Sequence, residues 1–288
     1  MLSGWCILAT TGQLLPNSWP FVVRQFPALA FGTYLLWALY KTLPTSQAQL
    51  FATSPPPNYL IWVGSWLFGN ESTESRWADV RFALLLAGVV GLQYGFLLNI
   101  ETLQVIGSDA AAFHYPLEAH TGRAISANSL PYWNPYMFAG MPQLANMQAA
   151  PFYPITALLR LFMPAHAVIN LAVLLHVYIA GLGMYWLARH YGLMRVIAFL
   201  VGLGYMLGGG VTLRVLAGHT NLLYCAAWLP VAWVLLRHVL RGNGLAITGL
   251  SVVVALLVMA GHPTWTVYGL LWLGFYTIGG WWFGAQNW

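Results

Sequence analysis

Apolar residues run along this chain in long blocks separated by short polar turns, and that spacing predicts helices that cross a bilayer. A spanning helix needs about 20 mostly apolar residues. Six stretches meet this need: 81–99, 166–188, 196–213, 222–240, 245–260 and 264–282. A seventh, weaker stretch covers 27–43. Two apolar runs, 2–15 and 59–68, are too short to cross and suit the interface instead. The polar segment 47–58 contains Pro55, Pro56 and Pro57 and reads as a loop.

One interval breaks the pattern. Residues 100–165 hold no spanning stretch, yet they carry Glu101, Asp109 and Glu118, three of the six acids, and seven of the sixteen prolines. Loops of this length are usually functional or disordered. The density of Tyr, Trp, Phe and Met argues against disorder. Within the interval, 152–163 reads as a short amphipathic helix lying in the interface, so the interval is expected to be a folded cap. The fold class expected is therefore all-α: a polytopic bundle of six to seven spanning helices with one long folded outer loop, 100–165. It divides into an N-terminal segment, 1–75, and a membrane module, 76–288.

Composition agrees with lipid burial. The chain is 59 % hydrophobic and 6 % charged, against about 25 % charged in soluble domains. Trp and Tyr number 15 each, and both favour membrane interfaces. The net charge of +5 comes without the basic run that a nucleic-acid partner requires. Cys6 and Cys225 sit in apolar stretches without metal-ligand spacing. A cleavable leader is disfavoured, because 1–15 lacks a basic n-region.

Basic residues orient the bundle. Arg76 and Arg81 precede the first strong helix; Arg189, His190 and Arg195 follow the second; Arg237, His238 and Arg241 follow the fourth. By the positive-inside rule these turns are cytoplasmic. The 100–165 loop, the 214–221 turn and the 261–263 turn then share the outer face.

On that face the sequence gathers candidate chemistry: Asp109 and Glu118, with His114 and His120 around them, then Arg123, Arg214, His219 and His262. A carboxylate can take a proton from an attacking hydroxyl or help hold a divalent cation. The planar fork of arginine pairs with phosphate oxygens. One acid with one or two cations at a membrane rim is what transfer from a lipid phosphate requires. Blander readings stand beside these. Asp109 can cap the helix after it, Glu118 can be a solvated loop residue, and Arg214 can anchor a helix end by snorkelling. His176 reads as a hydrogen-bonded packing residue. The histidines lack zinc spacing. The glycine run 202–210 lacks the Lys and Ser/Thr of a phosphate loop and reads as close helix packing.

From about Arg76 onward the chain resembles the YfhO-like family of bacterial membrane proteins, within the GT-C group of integral-membrane glycosyltransferases. The resemblance is carried by Ser108-Asp109, by Leu130-Pro131-Tyr132-Trp133-Asn134-Pro135, by Phe138-Ala139-Gly140-Met141-Pro142, by Ala145-Asn146 and by Phe152-Tyr153-Pro154. Ala217-Gly218-His219, Trp228-Leu229-Pro230 and Ala260-Gly261-His262-Pro263 continue it. It implies an enzyme of the bacterial cytoplasmic membrane that moves a sugar from a polyprenyl-phosphate donor to an extracytoplasmic acceptor. Asp109 would be the catalytic acid, with a divalent cation as an option at its carboxylate and Glu118 in support. Arg214, His219 and His262 would face the carrier phosphate. Trp133, Asn134, Pro135, Gly140, Pro142, Asn146 and Tyr153 would shape the loop. Family members continue through further helices, so the chain looks truncated, and 1–75 has no counterpart in them. Beside the transferase stands a second expectation, a non-catalytic subunit that packs against other membrane proteins on the same scaffold. A transporter ranks last, since the spanning stretches hold few ionisable groups.

Overall fold

The computed structural model describes residues 76–98 and 107–283. The expectations for 1–75, including the 27–43 helix, the Pro-rich loop and Cys6, lie outside the described residues, as does Glu101.

The described chain is mostly helical. Helix α1 (Arg76–Tyr94) is followed by a single 3-10 turn (Gly95–Leu98). A π-wound turn (Ala110–His114) leads into α2 (Tyr115–Ser126). A two-residue hairpin follows, β1 (Trp133–Asn134) pairing antiparallel with β2 (Met141–Pro142). Next come a 3-10 turn (Met147–Ala149) and α3 (Pro154–Arg160). The bundle then continues through α4 (Ala165–His190), α5 (Arg195–Leu207), α6 (Gly209–Ala217), α7 (Thr220–Leu240), α8 (Gly244–Met259) and α9 (Pro263–Phe283).

Among the described residues four helical segments are long and apolar enough to cross a membrane: Ala78–Leu98, Ala165–His190, Arg195–Ala217 and Thr220–Leu240. Helix α8 is apolar but shorter, and α9 is rich in Trp, Tyr and Gly. The middle of the bundle is α4 and α7. Their apolar windows are 67 % and 56 % buried, against 28 % for the other two. The outer helices turn large apolar side chains away from the core: Leu84 and Leu92 on α1, Leu245 on α8, and Trp272, Phe275 and Trp282 on α9. Such a surface has no compensation in water, and it marks the protein as membrane-embedded.

Two breaks shape the bundle. The stretch expected as one helix over 196–213 runs on to Ala217 but is cut at Gly208, which is extended (φ −62°, ψ 157°). A Cβ on Gly208 would lie 2.5 Å from the Gly204 carbonyl oxygen. The Thr212 hydroxyl donates to the Leu207 carbonyl across the break at 2.9 Å. In α7, Pro230 has no N–H to offer the Ala226 carbonyl four residues earlier. The Tyr205 hydroxyl of α5 donates to that same carbonyl at 3.0 Å. In lipid every backbone polar group must find a partner inside the protein, and these two side chains meet that demand. The glycine run packs closely, as expected. A Cβ on Gly202 would come within 2.7 Å of the Gly181 carbonyl oxygen of α4.

The interval between α1 and α4 is a folded cap, with α2 and α3 both lying against α4. Helix α3 is shorter than the 152–163 expected, because Pro154 starts it and Leu161 closes it. The loop motifs act by packing and hydrogen bonding. Buried Asn134 donates to Gln143 at 2.7 Å and accepts from the Tyr136 N–H at 2.9 Å. Gln143 donates in turn to the Leu117 carbonyl at 2.9 Å and to Thr121 at 2.6 Å. Gly140 is left-handed (φ +109°) against the Trp133 ring, where a Cβ would meet the indole at 2.6 Å. Pro135 and Pro142 are exposed at the hairpin, and Asn146 caps the 3-10 turn through the Gln148 N–H.

Tyr153 reaches into the bundle. Its hydroxyl accepts from Trp228 Nε1 at 2.8 Å and lies 2.5 Å from His176 Nε2. His176 Nδ1 sits 2.6 Å from the Ala172 carbonyl. A carbonyl can only accept, so Nδ1 carries the proton and Nε2 accepts from Tyr153. Burial pushes the Tyr153 phenol up, which keeps it a donor. His176 is thus the hydrogen-bonded packing residue the sequence suggested. Cys225 is a free, buried thiol.

Candidate functional site

Three glycine turns from distant parts of the chain build the site. Helix α6 ends at Gly218, left-handed at φ +83°. The His219 N–H donates to the Arg214 carbonyl at 2.9 Å, and the Gly218 N–H to the Val215 carbonyl at 3.1 Å. This pair of bonds is the Schellman closure of a helix, and it brings Arg214 and His219 onto one turn. Gly107, at φ +88°, lies against the same turn. A Cβ there would fall 2.2 Å from the Gly218 nitrogen, so no other residue allows the approach. Two residues on, Asp109 Oδ2 stands 2.8 Å from His219 Nε2.

Asp109 occupies the cap position before the π turn, but its side chain makes no capping hydrogen bond. Capping therefore does not account for this carboxylate. Among the described residues, besides His219 it accepts only a 3.3 Å contact from the neighbouring Ser108 hydroxyl. On the other side of the imidazole, Arg214 Nη1 is 3.3 Å from His219 Nδ1. A guanidinium can only donate. Nδ1 therefore accepts, and the Nε2 proton points at Asp109. The result is an ordered relay, Arg214 to His219 to Asp109. The Asp109 side chain is 53 % exposed, open to an incoming molecule.

Two further histidines face this group. His114, last residue of the π turn, feels the charges of Asp109, His219 and His262. Burial outweighs the Asp109 carboxylate and pushes its imidazole down to about 4, so it is neutral near pH 7. The π winding has a local cause: Pro116 offers no N–H to Ala112, and the Tyr115 N–H reaches back to Ala110. His262 lies on the third turn. Gly261 is left-handed (φ +82°) and packs on the Met147 carbonyl, which a Cβ would approach to 2.3 Å. Burial, helped by His219 and Arg214, also lowers the His262 imidazole. Asn221 ties this turn to the cap, donating to the Gln148 carbonyl at 2.8 Å and to that of Gly261 at 3.5 Å.

The structure thus brings Asp109, Arg214 and His219 into contact, with His262 nearby. Glu118 does not join them. Both its oxygens are taken by Arg160, through Nε at 2.6 Å and Nη2 at 2.9 Å, in a buried bidentate pair. Arg160 Nη1 also donates to the Pro151 carbonyl at 2.8 Å. Glu118 is a buried structural acid here, neither solvated nor aligned with Asp109. Arg123 is also engaged elsewhere, its guanidinium 5.3 Å from the Tyr136 ring centre. His120 Nε2 meets the Trp133 carbonyl at 3.0 Å. A cleft of about 1020 Å³ runs beside α2, lined among others by Tyr115, Glu118, Arg123, Asn134, Tyr136 and Arg160.

Sequence reasoning set His114 beside Asp109 without a specific role, and it did not single out Arg160 or Asn221. The spacing of His114 from Asp109 was visible, but its burial was not. Arg160 and Asn221 act through pairings across 42 and 73 residues, which no local pattern signals. Among the described residues no three His, Cys, Asp or Glu are grouped to hold a metal ion.

No protein-family model, curated protein or solved structure matches this chain.

Proposed function

We propose that this protein is a glycosyltransferase-type enzyme of a bacterial cytoplasmic membrane, moving a sugar from a polyprenyl-phosphate carrier to an acceptor on the outer face. The observation that carries this reading is the Arg214–His219–Asp109 relay, formed by side chains the sequence had singled out separately. Further support is the resemblance to YfhO-like proteins in the motifs around these same residues. In this architecture α8 and α9 also cross the bilayer, which gives six spans among the described residues. The turns bearing Arg189, Arg195, Arg237 and Arg241 face the cytoplasm, and the cap lies outside.

In this mechanism an acceptor hydroxyl oxygen attacks the anomeric carbon of the carrier-linked sugar. Asp109 takes the hydroxyl proton as the new C–O bond forms. The bond from the anomeric carbon to the phosphate oxygen breaks, and the carrier phosphate leaves with the electron pair. The Nε2–H of His219 holds the Asp109 carboxylate in place, and the remaining N–H groups of Arg214 meet the phosphate charge. Neutral His114 and His262 offer hydrogen bonds without adding charge that would compete for the carboxylate.

In membrane vesicles supplied with labelled polyprenyl-phosphate sugar, Asp109→Asn is expected to cut transfer at least about a hundredfold with insertion unchanged. Retained transfer in that variant would sink the assignment. A second reading, a non-catalytic subunit on a transferase-like scaffold, draws on the commitment of Glu118 to Arg160, which leaves Asp109 as the sole carboxylate at the relay among the described residues. Failure of the wild-type protein to transfer, with co-purification of other membrane proteins at fixed stoichiometry, would favour it.

A further inference from the structure

Helix α3 is apolar on both of its sides. Ile155 and Leu159 pack on the buried core around Tyr153 and Tyr224, and the two polar side chains of the helix, Thr156 and Arg160, are buried. The opposite side presents Leu158, 60 % exposed, with Phe152 just before the helix and Leu161 and Phe162 just after it, all exposed. A helix that is apolar all round belongs inside protein or inside lipid, and clustered exposed apolar groups mark an interaction surface. No charge holds this part of the cap in water. Residues 124–159 contain no Asp, Glu, Lys or Arg, and Arg160 is paired with Glu118.

Helix lengths fix the depth of the segment. The 21 residues of α7 rise about 31 Å, which matches a hydrocarbon core of about 30 Å. The start of α7, just after the Gly218–His219 turn, therefore marks the hydrocarbon boundary on the Asp109 side. At this end Gly261 packs against the Met147 carbonyl and Ala150. Tyr153 lies deeper. Its ring stacks 5.5 Å from that of Tyr224, which is one turn into α7 and roughly 6 Å below the boundary. The far end of the bundle gives the same depth. There the His190 and His238 rings meet at 4.6 Å. From that level His176, the partner of Tyr153 on α4, stands about 21 Å up, and Thr220 about 27 Å up. Ala165 stands about 37 Å up, so α4 begins roughly 10 Å above the boundary. The chain thus meets the boundary near Met147, is below it at Tyr153, and is above it by Ala165.

We propose that the cap is re-entrant: it dips into the leaflet on the Asp109 side at Phe152, and α3 climbs back out with lipid covering Phe152, Leu158, Leu161 and Phe162. Phe152 is the deepest of these and lies among acyl chains, while Phe162 lies among headgroups. The lipid-covered surface is continuous with that of the bundle, because α3 lies on α4. It rests on the membrane-embedded bundle alone and holds whether or not the protein transfers a sugar.

The test is nitroxide labelling of Phe152→Cys, Leu158→Cys, Phe162→Cys and Ala127→Cys in the full chain, reconstituted in phospholipid vesicles. Each position is exposed, so the label displaces no packed side chain. The unsubstituted chain, treated in parallel, supplies the background from Cys6 and Cys225. Relaxation by oxygen, which concentrates among acyl chains, is compared with relaxation by a water-soluble nickel chelate. The oxygen-to-nickel ratio should fall from Phe152 through Leu158 to Phe162 and be lowest at Ala127, on the polar turn after α2. Equal ratios at Phe152 and Phe162 would describe a helix lying flat on the surface and overturn the proposal. So would ratios at Phe152 and Leu158 no higher than at Ala127, which would place the segment in water. Exclusion of both reagents from Phe152 and Leu158 would show that protein covers this face, and it too overturns the proposal.

Discussion

His114 shows how one side chain ties the candidate site to pH. Its folded-state pKa of about 4 lies below the ordinary 6.5, so between those values the unfolded chain binds the proton more readily. Stability contributed by this group is present in full above pH 6.5 and declines as pH falls toward 4, by up to about 1.4 kcal/mol per pH unit. His114→Gln should flatten that slope in unfolding measured from pH 7 to pH 4, and an unchanged slope would assign the acid sensitivity to another group. The residues of the relay were legible in the sequence because Asp109, Arg214 and His219 are polar in an otherwise apolar chain and fall in turns on one side of it. The same rarity of charge drew attention to Glu118. Its partner Arg160 lies 42 residues away, so its burial could not be read locally.

At the scale of elements, hydropathy located the helices well, because lipid imposes one period and one length on each. It missed the cut between α5 and α6. Gly208 interrupts no apolar pattern, and only the backbone conformation reveals it. It also said nothing of the agreement between Pro230 and Tyr205, which lie on different helices. Tyr205→Phe should leave the Ala226 carbonyl without its partner and cost about 1–2 kcal/mol. Unfolding in mixed micelles would read this loss, and no change would mean that α7 tolerates the vacancy left by Pro230.

For the molecule as a whole, the question is what fastens the cap to itself and to the bundle. The Glu118–Arg160 pair joins α2 to α3, and both helices lie on α4. Removing one partner of a buried pair strands the other charge and costs about 3–5 kcal/mol. Glu118→Gln should therefore lower stability by that order, and adding Arg160→Met should restore part of it. A loss of transfer in Glu118→Gln with unaltered stability would instead return Glu118 to the catalytic group. The general plan of a membrane bundle with an aromatic-rich folded loop was legible from hydropathy and composition. The docking of that loop depends on pairings between distant residues and was not.

The contact between Gly107 and Gly218 also carries a timetable. Translation proceeds at about 5–20 residues per second, so Asp109 leaves the ribosome roughly 5–20 s before His219. Through that interval the cap has no α6–α7 turn to close against. Tyr153, buried in the finished protein against Tyr224 and Trp228, waits with it. Each newly made molecule thus passes through a stage in which the cap is open to proteases and chaperones. A chain arrested before α7 never leaves it.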